Sequence, residues 1–211
     1  ASADDLTRLA AANNTKVIDV DHERGGRRVL LRDPDGVQVE AIWNYSRLPD
    51  LNVPDAPPEN RVKQTPRINT AVRIALDRPC IINKLGHTVL GVRRIAESIA
   101  WYQQNFGLIV SDFQLMENDA LPVVAFMRCD LGNQPADHHT LAIASGVETG
   151  HMHTAFELNG LDSVAAGGEF LRRRKYHHTW GIGRHILGSQ LFDYWRDPHG
   201  DMFEHYSDGD L

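Results

Sequence analysis

The chain has 211 residues, of which 42% are hydrophobic and 24% charged, with a formal net charge of −6. That composition belongs to a folded globular protein and excludes disorder as the dominant state. The acidic balance argues against phosphate-backbone binding, no apolar run reaches the roughly 20 residues of a membrane span, and two cysteines make no disulfide framework, so the expectation is a cytoplasmic protein with no nucleic-acid or membrane partner.

Asp4-Asp5 starts a predicted helix that carries Leu6, Leu9 and Ala10 at helical spacing. Residues 16–20, 27–32 and 37–43 alternate as strands. Asp33-Pro34-Asp35-Gly36 is a turn, because Pro presets φ and Gly accepts a positive one. Residues 46–80 contain Pro49, Pro54, Pro57, Pro58, Pro66 and Pro79 with no sustained period, and read as a linker. From Lys84 the order is strand (84–91), helix (95–106) and strands near 108–115, 122–129 and 138–144. It then begins again with a strand (151–158), a helix (162–174) and strands near 176–182, 189–196 and 201–206, so βαβββ occurs twice in succession. The basic run from Arg172 to Lys175 reads as a solvated helix end, where cations are favoured.

An internal repeat supports the modular reading. The segment Arg32-Asp33-Pro34-Asp35-Gly36-Val37-Gln38-Val39-Glu40 aligns with Arg196-Asp197-Pro198-His199-Gly200-Asp201-Met202-Phe203-Glu204 at an offset of 164 residues. The expected organisation is therefore the end of an incomplete βαβββ domain (1–48), a Pro-rich linker (49–83) and a domain of two βαβββ modules (84–147 and 148–208) within 84–211. The alternative for the first part is a short native extension.

Nine of the eleven histidines lie between His138 and His205, which points the search for chemistry at the last third of the chain. His87, in Leu85-Gly86-His87-Thr88-Val89-Leu90, is a polar residue inside an apolar strand, as are His151 and His153 in His151-Met152-His153-Thr154-Ala155-Phe156. Alternation places His151 and His153 on one face. Glu204 follows a tight turn in Met202-Phe203-Glu204-His205-Tyr206. Such groups need partners when buried. Two imidazoles and one carboxylate from different strands suit non-haem Fe(II), and equally suit catalytic zinc.

The segment Gly183-Arg184-His185, seven residues, Asp193-Tyr194-Trp195-Arg196-Asp197-Pro198-His199-Gly200, three residues, Glu204 makes the resemblance specific. With the repeated βαβββ units it is similar to the type I extradiol ring-cleavage dioxygenases of the vicinal oxygen chelate superfamily. Asp193 departs from the pattern, which places an apolar residue before the tyrosine. The resemblance implies an α+β fold in which paired βαβββ modules form a partly open mixed β-sheet barrel around a metal site. It implies His87, His153 and Glu204 as ligands of Fe(II), with Mn(II) or Zn(II) as alternatives. By the resemblance His153 is preferred over His151, because the family places its ligand just ahead of a small residue and an apolar strand residue, as in His153-Thr154-Ala155-Phe156.

By the same resemblance His139 matches the acid–base histidine, in preference to its neighbour His138, and His185 and Tyr194 match groups that contact catechol oxygens. The implied partners are a catecholic substrate and O₂, in a homo-oligomer acting in aromatic catabolism. A metal-dependent isomerase or lyase, and a non-catalytic small-molecule binder, are the alternatives. Glu40 stands at the carboxylate position of a unit not expected to hold metal. His177 and His178 are expected at the surface or the pocket rim. His199 is expected to be solvated, His205 to face away from the metal, and Trp101, Tyr102 and Phe106 to serve packing. Trp180 is a candidate for lining the pocket.

Overall fold

The computed structural model describes residues 2–116, 122–146 and 148–211. The expected module boundary at Val147 lies outside the described residues. Helix α1 (Ala3–Ala12) is started by a capping box. Ser2 Oγ accepts from the Asp5 amide at 3.1 Å, and the Asp5 carboxylate accepts from the Ser2 amide at 2.7 Å. This arrangement contributes about 1 kcal/mol. Leu6 and Ala10 of α1 are buried with Val29 and Leu31 of β2 (Arg27–Arg32), which pairs antiparallel with β1 (Val17–Asp19) and β3 (Gln38–Trp43). The β2–β3 turn is closed by the Gly36 amide donating to Asp33 O at 3.0 Å, with Gly36 at φ 88°. Glu40, the counterpart of Glu204 in this unit, is exposed and paired with Arg28 at 3.1 Å.

The two expected modules follow in order: β4 (Ile82–Val92), α2 (Ile95–Phe106), β5 (Ile109–Leu115), β6 (Pro122–Arg128), β7 (Leu141–Ser145), then β8 (Gly150–Leu158), α3 (Gly160–Arg173), β9 (His177–Arg184), β10 (Leu191–Arg196), β11 (Met202–Ser207). Residues 46–80 contain no helix or strand, and hold one isolated bridge between Arg61 and Gln64. Besides the three-stranded sheet there is an eight-stranded one, in the order β5-β6-β7-β4-β8-β11-β10-β9. It is mixed, because β11 runs parallel to β8 and antiparallel to β10. β5 and β9 are its edges, so it is not closed into a barrel. Among the described residues no helix is long and apolar enough to cross a membrane.

The chain divides into two compact units. The first comprises Ala1–Asp50, Leu90–Asp130 and Ile143–Gly150. Within it, Trp101 and Phe106 of α2 pack on the Leu6–Val29 cluster, and the buried Tyr102 hydroxyl donates to Asp33 Oδ2 at 3.3 Å, which confirms the packing role expected of these aromatics. The second unit comprises Leu51–Val89, Leu131–Ala142 and His151–Leu211, and contains every candidate site residue.

One strand boundary differs from expectation. β7 begins at Leu141, so His138 and His139 lie in the loop ahead of it rather than on opposite faces of a strand. The reason is that the His138 amide donates to Asp210 O at 3.0 Å instead of entering a ladder.

Candidate metal centre

His87, His153 and Glu204 stand on β4, β8 and β11, three consecutive strands of the sheet. β8 and β11 are locked in parallel register, with Met202 opposite His153 and Glu204 opposite Ala155. The residues after the two histidines, Thr88 and Thr154, share a hydroxyl hydrogen bond at 3.0 Å. The strand order therefore brings together three side chains separated by 66 and 51 positions in sequence. One ligand atom from each lies within 4.8 Å of the others.

The three are shielded from solvent, at 4%, 9% and 0% exposure for His87, His153 and Glu204. Glu204 Oε2 is 3.1 Å from His87 Nε2 and 3.3 Å from His153 Nε2. Even so, among the described residues His153 Nε2 and Glu204 Oε1 have no hydrogen-bond partner. Buried polar atoms left this way cost roughly 1–3 kcal/mol each. A cation among the three resolves that cost, and two imidazoles with one carboxylate are a donor set for Fe(II), Mn(II) or Zn(II). The residues present thus fit a divalent metal.

Their protonation states fit it too. Burial holds the His87 imidazole below its usual pKa despite the neighbouring Glu204, leaving the neutral ring that a metal needs. Burial alone would raise Glu204, but the imidazoles of His153, His185 and His87 crowded around it outweigh burial and keep the carboxyl well below its ordinary range.

The other sequence candidates surround this cluster. His139 is buried, its ring 4.1 Å from that of His87, and burial followed by the nearby His87 and His138 pushes its pKa down to about 2. His138 Nδ1 and His139 Nδ1 are 3.1 Å apart. His185 Nε2 shares a hydrogen bond with the Tyr194 hydroxyl at 3.0 Å and lies 3.7 Å from Glu204 Oε1. Burial and then the Glu204 charge raise the Tyr194 phenol well above its usual pKa, so it keeps its proton. Tyr194 sits directly opposite Glu204 on β11 and opposite Trp180 on β9.

Competing candidates sort themselves by position. His151, although on the same strand face as His153 by alternation, is exposed at the strand's start, where it bonds Thr154 Oγ1 at 2.8 Å. His199 is exposed, and His205 sits on the α3 side, where a Cβ at Gly167 would be 3.1 Å from its Nδ1. Trp180 is 57% exposed and stacks parallel to Tyr194, with ring centroids 5.6 Å apart.

Two features escape sequence reasoning. Tyr206 packs its ring 5.4 Å from that of His87. Asp193, 1% exposed, is paired with His178 Nε2 at 2.8 Å. The signal for the second was an Asp inside an apolar strand, the departure from the family pattern.

Residues 84–205 match the Glyoxalase/Bleomycin resistance protein/Dioxygenase superfamily. Over 206 residues the chain is 29% identical to metapyrocatechase 2 of Cupriavidus necator, covering 96% of this chain and 59% of that protein. The fold is similar to that of the 2,3-dioxygenase LapB from Pseudomonas sp. KL28, with a TM-score of 0.74 and 19% identity over 97% of this chain and 67% of that one. It is also similar to the Mn(II)-bound glyoxalase from Novosphingobium aromaticivorans, with a TM-score of 0.71 and 22% identity over 97% of this chain and 58% of that one. The chain therefore spans about three fifths of the length of the curated relative it matches. These matches agree with the resemblance to type I extradiol dioxygenases carried by the His185–Glu204 segment. By the match over residues 84–205, the chain belongs to the Glyoxalase/Bleomycin resistance protein/Dioxygenase superfamily.

Proposed function

We propose that this protein performs Fe(II)-dependent extradiol cleavage of a catechol-type ring with O₂, residues 84–211 being the catalytic domain. The observation that carries the reading is the buried His87–His153–Glu204 cluster with His139, His185 and Tyr194 gathered about it. An inert binder has no need of the second three. A relative named for metapyrocatechase activity supports the same reading.

His87, His153 and Glu204 would hold the iron, which would supply Lewis acidity toward the diol and a redox couple toward O₂. The chain's own groups do the rest. Tyr194 and His185, already hydrogen-bonded to each other at 3.0 Å, orient the diol and accommodate the loss of its first proton. Buried Tyr194 stays a phenol and acts as a donor. His139, kept neutral by burial, accepts the diol's second proton on its unprotonated ring nitrogen, stabilises negative charge developing on oxygen and returns that proton to it. Burial of the cluster keeps water from competing for those hydrogen bonds. The product is a ring-opened semialdehyde or related acid carrying both oxygen atoms.

The deciding experiment is O₂ uptake by protein reconstituted anaerobically with Fe(II) and given catechol, 2,3-dihydroxybiphenyl and a carboxylated catechol in turn. Uptake with a new yellow chromophore is the expected outcome. The likeness to a Mn(II)-bound glyoxalase favours a metal-dependent isomerase or lyase as the second reading. A metal-loaded protein that consumes no O₂ with any ring would favour that alternative.

A further inference from the structure

Asp193 has no part in the chemistry above, yet it is a carboxylate at 1% exposure in the strand that carries Tyr194. Both of its oxygens are engaged. Oδ1 lies 2.8 Å from His178 Nε2 on β9, and Oδ2 accepts from Trp195 Nε1 at 2.6 Å. The His178 ring in turn packs on Trp195, with centroids 4.6 Å apart. Two glycines leave the room: a Cβ at Gly168 of α3 would stand 2.6 Å from Oδ2, and one at Gly181 of β9 would stand 2.8 Å from Oδ1. Burying a carboxylate against an imidazole is a poor way to stabilise a strand, since an apolar residue of similar volume does as well or better. A built cradle around such a pair calls for another reason.

The ladder supplies one. β9 and β10 pair with two register shifts, one between Phe192 and Asp193 and one between Tyr194 and Trp195, so Asp193-Tyr194 is the segment between two irregularities. Irregularities of this kind re-aim side chains beside active sites. Tyr194 rides on β10, and His185 directly follows β9. The Asp193–His178 pair ties those same two strands from the opposite side of β10, since neighbouring residues of a strand point to opposite faces.

We infer that Asp193 and His178 are positioning residues, whose buried pair, completed by Trp195, holds the irregular β9–β10 ladder in the register that sets Tyr194 against His185. The inference rests on the reading of Tyr194 and His185 as the groups that orient substrate. Asp193 and His178 themselves touch no reacting atom.

The test compares Asp193→Asn and Asp193→Leu with the parent chain. Asn keeps the shape and one acceptor for His178 but presents an amide donor toward Trp195 Nε1, whereas Leu removes both acceptors. Three readouts are taken: bound Fe(II), kcat and KM with catechol, and the ring-nitrogen NMR signal of His185 in metal-free protein, with Tyr194→Phe marking the position it takes when the Tyr194 bond is lost. Expected are an unchanged Fe(II) stoichiometry, a kcat about tenfold lower in Asp193→Leu and less so in Asp193→Asn with a smaller change in KM, and a His185 signal moved toward the Tyr194→Phe position. A folded Asp193→Leu protein with parental kcat and an unmoved His185 signal overturns the inference. Should the Leu variant not fold, the Asn variant decides by the same two readouts. Should the parent cleave no catechol, the ring-cleavage reading fails, and the His185 signal alone decides: a shift in Asp193→Asn upholds the clamp and an unmoved signal overturns it.

Discussion

The ring of Tyr206 occupies the space left by the missing side chain of Gly86, and from there it lies against the ring of His87. Gly86 immediately precedes that proposed ligand on β4. A Cβ at Gly86 would collide with the Tyr206 hydroxyl and ring. Gly86→Ala should therefore push apart β4 and the Tyr206 ring, costing about 1–3 kcal/mol of stability and weakening metal binding. Thermal unfolding and metal titration measure the two effects. Removing the hydroxyl nearest the clash, as Gly86→Ala/Tyr206→Phe, should recover part of both.

His151 and His153 give a direct test of which histidine holds metal. His153 Nε2 is buried and aimed at Glu204, whereas His151 is exposed and spends its Nε2 on Thr154. His153→Ala should weaken metal binding by more than about 100-fold, because losing a ligand costs more than losing a group that merely supports one. His151→Ala should leave it within about twofold, in keeping with the small effects of surface substitutions. Competition against a chelator of known affinity reads both.

His139→Phe and Tyr194→Phe should separate chemistry from metal holding. Each leaves His87, His153 and Glu204 in place. Each should lower turnover of catechol by about 10²–10⁴-fold, the usual worth of an acid–base group, while bound iron stays near one per chain. Loss of iron in parallel with turnover would contradict the roles assigned here.

Acid should destabilise the metal-free chain, and the sign follows from the burial of His139 and Glu204. The His139 pKa falls from its ordinary value of 6.5 to about 2 on folding, so the unfolded chain binds the extra proton between those values. Stability from this group is fully present above pH 6.5 and declines as pH falls toward 2. Glu204, also depressed on folding, acts in the same direction below its ordinary value of 4.5. Each group alone contributes a slope of up to about 1.4 kcal/mol per pH unit. Urea unfolding of metal-free protein between pH 7 and 4 should show falling stability. His139→Phe should flatten the upper part of that curve.

Much of the fold is legible in the sequence because the signals for it are local. The alternation of Arg27–Arg32, the spacing of Leu6, Leu9 and Ala10, and the Asp33–Gly36 turn each depend on a few neighbouring residues, and all three form as expected. The paired βαβββ order is legible for the same reason, since the repeat is a repeat of those local signals. His138 and His139 read wrongly as strand because the apolar run after them suggests a longer ladder, while the bond from the His138 amide to Asp210 O depends on a segment 72 residues away.

Local patterning accounts for the helices and strands, for the residue types able to ligate a metal, and for the carboxylate that stands where the family pattern has an apolar residue. That β4, β8 and β11 lie side by side, that His153 rather than His151 reaches Glu204, and that Asp193 meets His178 and Trp195 all depend on the folded arrangement of distant strands. The physical reason is that periodicity and turn chemistry are properties of short stretches of backbone. Convergence of side chains depends on which strands hydrogen-bond to which and in what register, and that is settled only when distant segments bury their surfaces together.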